Sequence, residues 1–162
     1  MVKTIQITVN LKTLKSDIKQ HLSIIGKRQG DKQGNTLFVG VTLSSTEENI
    51  IEQYMKAAVE TFVGELSPKV KFYASTESTI KVTIDTNRIN SGCKNAFEGN
   101  LRGYVTSYVV NATIGMNYPE LAKKYNAEME WHMKAAVNLI FTKEQHFIFG
   151  KTLKDMKGEV IL

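Results

Sequence analysis

The sequence has one cysteine, Cys93, and only two prolines, Pro68 and Pro119, in 162 residues. A lone thiol cannot close a bridge within the chain, so a disulfide scaffold is excluded and a reducing compartment is expected. Its eleven glycines follow no repeat, which excludes collagen-like and low-complexity chains. Long hydrophobic runs are missing too. The longest uncharged stretch, Gly103 to Pro119, is shorter than the ~20 apolar residues a membrane span needs, and Thr106, Ser107, Asn111, Thr113 and Asn117 interrupt it. The opening MVKTIQITVN has neither an apolar core nor a small-residue cleavage site, so export is not expected. What the chain does have is 42% hydrophobic and 23% charged residues, the balance of one globular domain over 1–162. A core of that size forms without help from a metal.

The net positive charge is confined to one end. Residues 1–33 hold seven basic side chains against Asp17 and Asp31, so the whole formal charge of +5 lies there. Lys12, Lys15, Lys19, Lys27, Arg28 and Lys32 are therefore the candidate contacts for an anionic partner, with non-specific DNA first among them. The alternative for the same residues is a solvated helix face.

Apolar spacing sets the expected elements. Ile5, Ile7 and Val9 alternate with polar residues, as on a half-buried strand. From Leu11 the period changes, and Leu11, Leu14, Ile18, Leu22 and Ile25 form a helical stripe that the Gly26-Gly30-Gly34 segment ends as a basic loop. Residues 36–43 read as extended. Ser45 and Glu48 form a capping box that opens a helix over 46–66, with Ile51, Met55, Ala58, Phe62 and Leu66 on its buried face. Val70 and Phe72, then Ile80, Val82 and Ile84, make a hairpin across Ser75–Ser78. Two long helices follow at 94–117 and 119–142, with Pro119 and Glu120 restarting the second, and such a pair packs most simply as an antiparallel hairpin. Their stripes are Phe97, Leu101, Tyr104 or Val105, Tyr108 and Ala112, and Leu121, Tyr125, Met129, His132, Ala136 and Leu139.

The expected fold is thus α+β: a long helical hairpin and a third helix packed with a small, mainly antiparallel sheet. An extended C-terminal arm, 147–162, completes it. Phe147, Ile148, Phe149, Val160, Ile161 and Leu162 are too apolar for a free end. They either add a strand to the chain's own sheet or contact another subunit.

Catalytic patterns are scarce. His21, His132 and His146 lie in separate segments, and Glu128, four residues before His132, is at metal-pair spacing. A core histidine is the better reading of His132, and a packed thiol that of Cys93. No nucleophile elbow, dinucleotide fingerprint, phosphate loop or EF-hand occurs, so no enzyme, cofactor or metal site is expected. Tyr54, Tyr104, Tyr108, Tyr118, Tyr125 and Trp131 fall on helical stripes and read as core rather than as base-stacking platforms; Tyr73 is on a strand.

The run Tyr104-Val-Thr-Ser-Tyr-Val-Val, the step Asn117-Tyr-Pro-Glu-Leu-Ala-Lys-Lys-Tyr125 and the helix Met129 to Leu139 resemble small virion proteins of tailed phages infecting Bacteroidetes. The opening strand Thr4 to Lys12, the helix at Asp17-Ile-Lys-Gln and the segment Glu47 to Leu66 look like the same group. The likeness covers about two thirds of the chain by pattern, on short motifs that are not catalytic. It implies a head–tail connector, or adaptor, subunit: a homo-oligomeric ring that joins portal and tail proteins around the DNA channel, assembled in the host bacterial cytoplasm, in the virion rather than in a membrane. Two other classes fit the residues alone. One is a small basic nucleic-acid-binding or regulatory domain, the other a small enzyme built on His132 and Glu128.

Overall fold

The structure, a computed structural model, describes the backbone of residues 4–28, 45–67, 70–76, 78–85, 89, 91–115 and 118–158, and side chains within 5–25, 48–67, 78–84, 89, 92–115 and 118–140. The opening strand β1 (Thr4–Asn10) turns Ile7 and Val9 inward and leaves Gln6 and Thr8 exposed. It passes directly into α1 (Leu11–Arg28). The Asn10 side-chain oxygen accepts the backbone N–H of Lys12 (2.9 Å) and of Thr13 (3.2 Å), an N-cap that lets a strand become a helix without a loop. The Leu11 N–H donates to the Ser78 carbonyl (2.8 Å), fixing this junction to the hairpin that follows.

Then come α2 (Ser45–Glu65), β2 (Val70–Thr76), β3 (Thr79–Asp85), α3 (Lys94–Ile114), entered through a 3-10 turn at Ser91–Cys93, and α4 (Pro119–Gly158). The three strands are antiparallel in the order β1-β3-β2. Their register sets Ile5 opposite Ile84, Ile7 opposite Val82 and Val9 opposite Ile80, which puts the apolar residues of β1 and β3 on one face. A register shift between Ala74 and Thr76 carries β2 further into the turn than its apolar alternation shows.

The fold is α+β. A single cluster of buried side chains joins β1, β3 and all four helices. At its centre is α3, packed by α4, α2, α1 and β1. This explains why its buried set is wider than one stripe: Val109, Val110 and Ile114 are buried along with Phe97, Leu101, Tyr104 and Val105, while Tyr108 and Ala112 are half-buried. The two long helices run antiparallel, as the pairs Asn111–Asn126, Ser107–Glu128 and Asn100–His132 show. Their corner needs glycine, because a Cβ at Gly115 would meet the Asn111 carbonyl oxygen at 2.5 Å.

Two expectations are corrected. First, α1 continues through Gly26 to Arg28, since one glycine within a helix costs only about 1 kcal/mol. Second, α4 does not stop near Thr142: its backbone is helical to Gly158, so 147–158 is helix and adds no strand to the sheet. Both carboxylate oxygens of Glu48 pair with lysines of α1, and Ser45, its partner in the expected capping box, has its side chain outside the described residues. Residues 36–43 and the rest of the glycine-spaced loop lie outside the described residues, as do Lys32, Val160, Ile161 and Leu162.

Candidate functional site

Lys12, Lys15 and Lys19 lie one turn apart on the flank of α1, and Glu48, Glu52 and Lys56 are likewise one turn apart on α2. The two rows meet. Lys15 Nζ is 2.8 Å from Glu52 and 3.2 Å from Glu48, and Lys19 Nζ pairs with the other oxygen of Glu48. These bonds hold the Glu48 carboxyl below the usual carboxylate range, Lys19 contributing most and Lys15 next. They hold Lys15 above the usual lysine value, chiefly through Glu52 and against the opposing effect of burial. A fourth ion pair, from Arg102 to Asp17 (2.6 Å), fastens α3 to α1.

Above this network a groove of about 870 Å³ opens between the start of α1, the middle of α2 and the β2–β3 turn. Leu11 and Met55 supply its apolar lining, Ser78 a hydroxyl, and Lys12, Lys15, Lys56 and Glu52 its charge. Among the described residues no carboxylate pairs with Lys12 or Lys56. The first amides of α1 are already taken by Asn10 and Ser78, so an anion here is attracted by the two free ammonium groups and not by the helix end.

The structure therefore divides the basic residues expected to act together. Lys12 borders the groove, whereas Lys15 and Lys19 are committed to carboxylates. Lys27 and Arg28 end α1, about 22 Å from Lys12 by the helical rise, and their side chains lie outside the described residues. Lys56 joins the site from α2. Its position four after Glu52 was visible in the sequence, but which faces of α1 and α2 meet was not. Phe147, Ile148 and Phe149 lie on the helical backbone of α4, with side chains outside the described residues.

The catalytic candidates do not converge. His132 Nδ1 is 3.1 Å from the Asn100 side-chain oxygen, while Glu128 accepts a hydrogen bond from the buried Ser107 hydroxyl (3.1 Å). Burial lowers the His132 pKa below the usual histidine value, and Glu128 opposes this. Cys93 is the half-buried N-cap residue of α3 and makes no side-chain cap bond. His21 shares a 3.0 Å hydrogen bond with Tyr125. Among the described residues no three His, Cys, Asp or Glu side chains come close enough to hold a metal, and no helix is long and apolar enough to cross a membrane.

Of the helical aromatics, Tyr104 and Tyr125 are buried and Tyr54, Tyr108 and Tyr118 are half-buried against the core. Trp131 breaks this pattern at 64% exposed. It is offset from the row Tyr125, Met129, His132 and Ala136 and meets the His132 ring edge-on (4.8 Å).

Removing the Glu48 charge tests the α1–α2 tie. A carboxyl whose pKa is lowered by folding adds stability above its unfolded pKa and loses it as pH falls through the folded value. The stability difference between the wild type and Glu48→Gln should therefore hold steady at neutral pH and vanish below the ordinary carboxylate range. Urea midpoints measured across that range check this, and a difference unchanged by acid would show that the pairs do not form. Comparison with family models, with curated proteins and with solved structures finds no match for this chain.

Proposed function

We propose that this protein is a structural subunit of a phage head–tail connector, forming a ring that joins portal and tail and surrounds the DNA. The observation that carries the reading is the length of α4. It has 40 residues, about 60 Å, yet α3 begins at Lys94, and the pairing of the two helices has run past that point once α4 passes Ile140. Residues 141–158 continue as helix beyond that partner. A helix without neighbours is marginal in water, and among the described residues no element runs alongside 141–158, so we read the segment containing Phe147, Ile148 and Phe149 as covered by another molecule. A ring built from one kind of subunit supplies such cover through contacts between unlike patches.

The resemblance of Tyr104 to Val110, Asn117 to Tyr125 and Met129 to Leu139 to phage virion proteins points the same way. The groove lysines suit a channel wall. Lys12 and Lys56 face outward with no carboxylate partner among the described residues, and attraction to phosphate needs no base sequence.

Mass in solution tests the reading. A defined oligomer of many subunits by native mass spectrometry supports it, and a monomer at every concentration overturns it. Duplex DNA should bind weakly and without sequence preference. The slope of log K against log salt should be shallow, near −2 for two phosphates, and flatten in Lys12→Glu/Lys56→Glu. Steep, sequence-selective binding by a monomer would instead identify a nucleic-acid-binding domain.

A further inference from the structure

A second groove, about 430 Å³, lies where the end of α2 meets the α3–α4 hairpin. Tyr104 and Tyr108 of α3 and Met129 and Met133 of α4 form its apolar lining, with Glu65 at one rim and the Glu130–Lys134 ion pair (3.8 Å) at another. Glu65 is also the last residue of α2, whose final turn has no basic side chain, so the negative end of that helix dipole adds to its carboxylate. The groove is apolar, lined by adaptable methionines, and negative at one end, which suits an amphipathic helix carrying positive charge.

The chain contains such a helix. Residues 141–158 place Phe141, Ile148, Phe149, Leu153 and Met156 on one side at largely helical spacing, with Phe147 on the other among Lys143, Lys151, Lys154 and Lys157, which outnumber Glu144 and Asp155. It cannot fill the groove of its own subunit. Met129 and Met133 belong to the same continuous helix, and residue 148 lies about 22 Å beyond Met133 along its axis.

We infer that the distal part of α4, residues 141–158, docks into the groove formed by α2, α3 and α4 of a second copy of this chain. Donor and acceptor are different patches of one surface, so each subunit uses both, and the contact repeats around a closed ring or along a filament. This inference rests on the ring reading above and supplies the contact between its subunits.

The test uses full-length variants. Met133→Glu blocks the groove and keeps the distal helix, while Ile148→Glu spoils the distal helix and keeps the groove. Each alone should fall from the wild-type oligomer to a folded monomer whose helical circular-dichroism signal drops by no more than the share of residues 141–158. Mixed in equal amounts they should form a dimer and nothing larger, since just one intact donor meets one intact acceptor. Because Met133 is half-buried, the exposed Glu130→Lys serves as a second groove variant, expected to weaken assembly by up to about fivefold. An oligomer that survives both groove variants, or two monomeric variants that fail to pair, overturns the inference and leaves the ring reading standing. A monomeric wild type overturns both.

Discussion

Replacing Phe62 with alanine should cost about 3–5 kcal/mol, the largest loss expected from any one side chain of the described core. Phe62 is fully buried where α2 crosses α3. Its ring meets Phe97 edge-on at 5.8 Å and tilts over Tyr104 at 5.2 Å. Truncation removes the apolar surface, leaves a cavity between two helices that other contacts hold apart, and ends two aromatic contacts worth roughly 0.5–1.5 kcal/mol each beyond their area. Domains are stable by only about 5–15 kcal/mol, so the variant should sit close to its unfolding threshold at room temperature. Phe62→Leu keeps most of the volume and should lose less than half as much. Urea melts check this through the midpoint, with the slope unchanged if the native state keeps its shape. A loss below about 1 kcal/mol for Phe62→Ala would mean that α2 does not pack on α3 through this ring.

Phe62 also shows what was legible in the sequence. The stripe Ile51, Met55, Ala58, Phe62, Leu66 reads directly as the buried face of a helix, and all five residues are buried. The same holds for Leu14, Ile18, Leu22 and Ile25 of α1, and for the alternation that makes β1 and β3. Periodicity reports one face at a time, however. It undercounts a helix covered on two sides, which is why Val109, Val110 and Ile114 fell outside the stripe read for α3. The clue was the uncharged run from Gly103 to Pro119, read for its length against a membrane and not for burial on both faces.

The lysine groove was half legible. Asn10, standing just before the first residue of a helical stripe, is a cap signal in plain view, and Lys12 and Lys15 were picked out by charge. Pairing of Lys15 and Lys19 with Glu48 and Glu52 joins residues 29 to 37 positions apart, and no local spacing reveals such a contact. The end of α4 was misjudged because Phe147-Ile-Phe149-Gly150 has strand-like propensity, which the continuing helix overrides.

The tightest joint between the long helices gives the second large effect. A Cβ placed on Gly103 would lie 2.2 Å from Nε2 and 2.3 Å from Cε1 of His132, so the imidazole of α4 occupies the space a side chain on α3 would take. Alanine favours an exposed helical site over glycine by about 1 kcal/mol, but here the ring would have to swing out, losing its bond to Asn100 and part of its burial. Overpacking of this kind costs about 1–3 kcal/mol and should outweigh the propensity gain, so Gly103→Ala should be destabilising. His132→Ala should also destabilise, by opening the same space from the other side. The double variant should be more stable than either single one, because the new methyl group fills the vacated room, giving a coupling of up to about 3 kcal/mol. Acid distinguishes the partners. Burial lowers the His132 pKa, so the unfolded chain binds the proton more readily, and stability falls as pH drops from about 6.5 through the lower folded value. That component should be present in the wild type and missing from both variants lacking His132. Additive single effects, or a Gly103→Ala protein as stable as its helix propensity alone dictates, would mean that the ring does not sit against Gly103.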